Sequence, residues 1–211
     1  MQNSANNTLR NPNSAFPNRT LFPVILRVPA DVGDFKPRDR VIFLSRHARM
    51  ALHISAEKSG ARLGELVKNK NGVPQPFDGI YWSISHKTLY VCGVVAPTPI
   101  GIDIERIRSF SDGLFRKTAT QRELELADME NDSVMAFFRF WTAKEAVLKA
   151  TGIGIKDLLK CRIQKILDEN HLQIFYEGQD WLIEHFEFDR HLAAIVQNQY
   201  CIDWSVVEQG G

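Results

Sequence analysis

Residues Ile100-Gly101-Ile102-Asp103-Ile104-Glu105 alternate between apolar and non-apolar at every step. Successive side chains on a β-strand point to opposite faces. Ile100, Ile102 and Ile104 therefore anchor one face, and Gly101, Asp103 and Glu105 share the other. The two carboxylates then stand about 6.7 Å apart along the strand. Like charges this close repel unless something positive lies between them. Mg²⁺ suits such a pair, being a hard cation that takes carboxylate oxygens and keeps waters that a phosphate can replace. A half-solvated strand edge carrying ordinary surface acids is the plainer reading of Asp-x-Glu by itself.

The rest of the chain sorts around this strand. Residues 1–20 are rich in Asn, Ser, Pro and Thr without periodicity, and read as a polar, partly mobile lead-in. Leu21–Val28 is an apolar run, a strand broken at Pro23. Residues 38–67 carry a helical pattern, with Leu44, Ala48, Ala51, Leu52 and Ala56 on one side. Asn71-Gly72, Pro74 and Pro76 mark a loop. Strands are expected at Ile80–His86 and Leu89–Val95. Thr120, followed three residues later by Glu123, is a capping-box pattern that starts a helix. A second long helix runs from Val134 to Ala150 and stops at Gly152. Strands follow at Leu172–Tyr176, Trp181–Phe188, Ala193–Val196 and Ile202–Val207. The order helix, strands, helix, strands predicts an α+β fold. It suggests two similar lobes, each a long helix on a small, mainly antiparallel sheet: residues 21–99, then residues 100–211 with the metal site.

Three further patterns could carry chemistry. On the second helix Trp141, Glu145 and Lys149 recur every fourth residue and share one side. Glu145–Lys149 can be a simple helix-stabilising pair worth about 0.2–0.5 kcal/mol. Yet an acid with Lys144 and Lys149 beside it, among Phe137, Phe138, Phe140, Val147 and Leu148, is expensive to bury without partners. A third metal ligand with flanking cations for phosphate would explain it. Ser83-Ile84-Ser85-His86-Lys87 ends a strand in donors suited to an anion. Arg46 and Arg49 lie on the first helix, where such a pair is often just a solvated face.

The chain's 26 basic and 25 acidic residues give a net charge of +1, so neither nucleic acid nor an anionic membrane is expected as a partner. No apolar run approaches the roughly 18 residues of a membrane span, and the N-terminus lacks the pattern of a secretory signal. Cys92, Cys161 and Cys201 sit in apolar stretches and are expected to be buried thiols. A cytoplasmic protein is the expectation.

Ser83-Ile84-Ser85-His86, Gly101-Ile102-Asp103-Ile104-Glu105, Trp141-Thr142-Ala143-Lys144-Glu145-Ala146 and Leu148-Lys149-Ala150-Thr151-Gly152 together resemble the signature blocks of the 4'-phosphopantetheinyl transferases, in the order and spacing of the two-lobed, surfactin-synthetase-activating type. The similarity runs from about Phe43 to Ile155. It implies a monomeric pseudo-dimer whose lobes are related by a pseudo-two-fold axis. It also implies transfer of 4'-phosphopantetheine from coenzyme A to a serine of an apo acyl- or peptidyl-carrier protein, with Mg²⁺ as cofactor and 3',5'-adenosine bisphosphate as product. By the same resemblance Asp103, Glu105 and Glu145 are the metal ligands. Lys149 and Lys144 contact coenzyme A phosphate, His86 with Ser85 and Arg46 serve its 3'-phosphate, and Glu145 or Glu123 is the base. One departure stands out. The family often has Gly-Lys-Pro where this chain has Gly72-Val73-Pro74, and Lys70 is the expected substitute cation.

Two other functions fit the same residues less well. A Mg²⁺-dependent phosphohydrolase or nuclease would use the carboxylates and lysine, but the neutral charge offers no basic stripe. A non-catalytic carrier- or nucleotide-binding module would have no need of all four residues Asp103, Glu105, Glu145 and Lys149. Carrier docking is expected on a local basic and apolar surface around Arg106–Lys117.

Overall fold

The apolar run Leu21–Val28 is split at Phe22-Pro23, between β1 (Thr20–Leu21) and β2 (Val24–Arg27). The computed structural model describes residues 15–130 and 132–208. The first 14 residues of the expected lead-in lie outside them. The remainder of that lead-in is not loose: Phe16 is buried in the core and Thr20 already pairs with Cys201.

Helix α1 (Pro37–Ser59) starts with proline at its first position, where no amide hydrogen is needed. It ends well before residue 67. Gly60 adopts a left-handed φ of 67°, and the Gly60 and Ala61 amides donate to the carbonyls of Glu57 and Ala56. That termination outweighs the apolar spacing beyond it. Leu44, Ala48, Ala51 and Leu52 bury the inner face of α1 against the first sheet. The sheet is built from β2, β3 (Tyr81–His86), β4 (Tyr90–Ala96) and β11 (Ser205–Val207), in the order β11-β2-β4-β3.

The chain then crosses to a second sheet through Pro97–Pro99. This holds β5 (Ile102–Arg106), β6 (Arg162–Ile166), β7 (His171–Tyr176), β8 (Gln179–Phe188) and β9 (His191–Val196), in the order β5-β9-β8-β7-β6. All its neighbours are antiparallel. Strand β6 was not expected: its alternation is broken by a register shift between Ile163 and Lys165. Between β5 and β6 lie α2 (Asp112–Thr118), α3 (Gln121–Asp128) and α4 (Ser133–Thr151). The Thr120–Glu123 capping box forms as the sequence predicts. Helix α4 packs on β5 and β9.

The expected last strand is two short ones, β10 (Cys201–Ile202) and β11. Both return to the start of the chain, β10 beside β1 and β11 beside β2, each in parallel. On β10, Ile202 is half-buried while Cys201 is exposed, so the expectation of three buried thiols holds only for Cys92 and Cys161. No helix among the described residues is long and apolar enough to cross a membrane.

One glycine sets the distance between α4 and β5. A Cβ at Gly101 would run into the Ala146 carbonyl oxygen and lie 2.8 Å from the Ala150 nitrogen. Backbone meets backbone there, so neither side can yield as a side chain would. Gly101→Ala is expected to destabilise the protein by about 1–3 kcal/mol or more. Urea unfolding checks this, and an unchanged midpoint would mean the helix can lift from the strand at no cost.

Candidate active site

The polar face of β5 is not a solvated edge. It lies under α4, with Asp103 only 4% exposed. Fourfold spacing on α4 turns Trp141, Glu145 and Lys149 toward that face. Lys149 Nζ donates to Asp103 Oδ1 at 2.7 Å and to the Ile102 carbonyl at 3.0 Å. Ser85 Oγ, from β3, donates to the same Oδ1 at 2.8 Å. Asp103 Oδ2 is buried without a partner. Two positions along, Glu105 Oε1 accepts from Lys87 Nζ at 2.6 Å and from Trp141 Nε1 at 3.2 Å.

Glu145 makes no ion pair among the described residues. Burial, and then the negative charge of Asp103, push its carboxyl above the ordinary carboxylate range. Burial does the same to Glu105 against the pull of Lys87. Burial works to lower the Lys149 pKa, but the charge and hydrogen bond of Asp103 outweigh it and leave the ammonium firmly protonated.

Two adjoining openings expose this cluster. The larger, about 500 Å³, lies between the Lys68–Pro74 loop and the Gly152–Lys156 turn, with Ser83, Glu145 and Lys149 in its wall. The smaller, about 320 Å³, takes in Ser45, Ser85, His86, Lys87, Asp103, Glu105 and Trp141. Lys68, Ile84, Glu145 and Lys149 border both. Burial lowers the pKa of His86, as do the nearby charges of Lys149, Lys87 and Lys68. Lys68 is lowered likewise, by burial and then by Arg49 and Lys149. So much positive charge against His86 and Lys68 makes a site that favours an anion.

Most of the residues singled out in the sequence converge here: Asp103, Glu105, Glu145, Lys149, Ser85 and His86. Three do not. Glu123 and Lys144 are each 1% exposed and bind one another at 2.8 Å, away from both openings. Glu123 also accepts from the Thr120 and Ile163 amides, and Lys144 donates to the Thr118 carbonyl. The pair ties α3, α4 and β6 together, buried away from the cleft. Arg46 is exposed and borders neither opening, whereas Ser45 borders the smaller one and the charge of Arg49 acts on Lys68.

Lys68 and Lys156 were missed; Lys68 lines the larger opening together with Val73, and Lys70 does not line it. The Val73 side chain instead closes over Gly152. Lys68 is brought in by an antiparallel bridge to Pro74, a pairing no local pattern announces.

Among the described residues, no group of three or more His, Cys, Asp and Glu is gathered as a metal site. Asp103 and Glu105 are each closed by a lysine instead. The donors nonetheless suit a hard divalent cation: all are carboxylate oxygens, Asp103 Oδ2 is unpartnered, and Glu145 is unpaired beside it.

Comparison with known proteins identifies the family of the chain. The profile of the 4'-phosphopantetheinyl transferase superfamily matches residues 99–203. A provisionally named 4'-phosphopantetheinyl transferase of Haemophilus influenzae is 34% identical over 191 residues, covering 82% of this chain and 78% of that protein. The 4'-phosphopantetheinyl transferase HetI of Nostoc sp. is 40% identical over 90 residues, 40% of this chain and 38% of its own. The 4'-phosphopantetheinyl transferase gsp of Aneurinibacillus migulanus is 33% identical over 90 residues, 42% of this chain and 38% of its own. The chain belongs to the 4'-phosphopantetheinyl transferase superfamily and is an enzyme of that class.

Proposed function

We propose that this enzyme moves 4'-phosphopantetheine from coenzyme A onto a serine of an apo acyl- or peptidyl-carrier protein and releases 3',5'-adenosine bisphosphate. The observation that carries this reading is the juxtaposition of Asp103, Glu105 and Glu145 with Lys149 at the mouth of a cleft bordered by Lys68 and Lys156. Mg²⁺ held by the three carboxylates would supply a hard cation to offset charge on pyrophosphate oxygens. Lys149 holds a phosphate oxygen as a point charge. Glu145, which makes no ion pair among the described residues, takes the proton of the attacking serine as general base.

The carrier docks beside the cluster, on a groove of about 520 Å³ lined by Lys87, Arg108, Phe110, Leu114, Phe137 and Trp141. We take the two sheet-and-helix units as lobes related by a pseudo-two-fold axis, and the enzyme as a cytoplasmic monomer; the three free cysteines suit a reducing compartment. Incubation with coenzyme A, Mg²⁺ and a panel of apo-carriers, read by mass spectrometry, tests the reading. Gain of the phosphopantetheine mass on one carrier class is expected, and no gain on any carrier overturns it.

His86 serves the 3'-phosphate. His86→Ala is expected to weaken coenzyme A by about 1.5–3 kcal/mol while leaving dephospho-coenzyme A nearly unchanged. The cations that depress the His86 pKa are the ones a phosphate would offset, so binding should take up a proton. The preference for coenzyme A should therefore grow as pH falls toward the lowered pKa of His86. Calorimetry with both ligands at several pH values checks this, and equal losses would show that His86 acts elsewhere.

A further inference from the structure

The two sheets meet at their edges: β3 ends one and β5 ends the other. On the paired side of β5, the Val196 amide donates to the Gly101 carbonyl at 3.0 Å. Alternation in an antiparallel ladder then turns the N–H and C=O of Ile102 the other way, toward β3. Ile102 is fully buried, so both groups need partners. Side chains supply them. The Ile102 amide donates to Ser83 Oγ at 3.2 Å, and its carbonyl accepts from Lys149 Nζ at 3.0 Å.

The same two elements grip the next residue. Ser85 Oγ and Lys149 Nζ both donate to Asp103 Oδ1, which leaves Oδ2 as that carboxylate's unpartnered oxygen. Serines two apart on β3 thus hold consecutive residues of β5, one by its backbone and one by its side chain. Ser83 is itself only 3% exposed and borders the larger opening, and no charge of its own accounts for its being there.

We propose that Ser83 is a positioning residue of the active site: its hydroxyl, working against Lys149, holds the Ile102 peptide and thereby sets the direction in which Asp103 presents its free Oδ2. Ser83 touches no reacting atom in this role. A small hydroxyl fits because it accepts a hydrogen bond across two strand edges that no backbone ladder joins. Alanine would leave the buried Ile102 amide unpaired and free the peptide to rock.

The test has a structural arm and a kinetic arm, and only the kinetic arm rests on the transferase reading. Ser83→Ala is expected to speed hydrogen exchange of the Ile102 amide, resolved by NMR, by tenfold or more. It should lower kcat about tenfold and leave KM for coenzyme A within twofold. Ser83→Thr, which keeps the hydroxyl, should restore both. Ser55→Ala is the control: Ser55 Oγ accepts the Val95 amide at 3.1 Å, a buried bond of the same kind between α1 and β4. It should lower the melting temperature comparably and spare kcat. Unchanged Ile102 exchange in Ser83→Ala would overturn the proposal. So would faster exchange with unaltered kcat, a rise in KM alone, or an equal fall of kcat in Ser55→Ala. If the wild-type protein transfers nothing to any carrier, the transferase reading fails, and the exchange arm alone decides whether Ser83 holds Ile102.

Discussion

Glu145→Gln should slow transfer by about two to four orders of magnitude, the range a general base contributes, and the variant should be no less stable than the wild type. Glu145 has no ion pair to lose, and it lies buried beside the charges of Asp103 and Glu105. Its folded pKa is raised above the unfolded value, so the folded protein binds more protons than the unfolded chain in the interval between the two. Stability then falls as pH rises through that interval. Glutamine carries no charge, and the fall should shrink in the variant, with the residue of it due to Glu105, which is shifted the same way. Urea unfolding across pH 4 to 8, alongside single-turnover rates, gives both answers. Were Glu145 only half of a helix-stabilising pair with Lys149, the variant would lose a few tenths of a kcal/mol and keep its rate. Near wild-type transfer by Glu145→Gln would remove this carboxylate from the chemistry.

Asp103→Ala should abolish transfer and also loosen the fold. The carboxylate is the shared acceptor of Lys149 and Ser85, and its removal strands a half-buried ammonium. Breaking a fully buried pair destabilises by about 3–5 kcal/mol. The Lys149 side chain is 27% exposed and keeps the Ile102 carbonyl, so a smaller loss of about 1–3 kcal/mol is expected. Asp103→Asn retains an acceptor for both donors. It should recover most of that stability while staying inactive, because the charge that suits a divalent cation has gone. Thermal melts and transfer assays on the two variants separate scaffold from site. Asp103→Asn with more than a tenth of wild-type activity would show that the negative charge is not needed.

How far the site could be read along the chain follows from how its parts are encoded. The acids of β5 were legible because a period of two sorts faces without reference to anything distant. The stripe of Trp141, Glu145 and Lys149 was legible for the same reason at a period of four. Adjacent residues on a helix point about 100° apart, so Lys144 cannot share a face with Glu145. Lys144 turns to Glu123 instead. By the same angle Arg46 points away from Ser45, which borders the smaller opening.

The sequence by itself determined an α+β chain with two long helices, and a strand with three isoleucines on one face and two acids on the other. Both are local properties, set by backbone geometry and by which groups water will release. Only the tertiary structure decided what those side chains meet. Lys149 and Asp103 are 46 residues apart, Glu123 and the Ile163 amide 40, and the β3 serines reach β5 across 18 and 19. None of these pairings has a periodic signature, because each depends on two surfaces packing in one register. The approach of β5 to α4 at Gly101, with no room for a single methyl group, is what brings the acids of one under the lysine of the other.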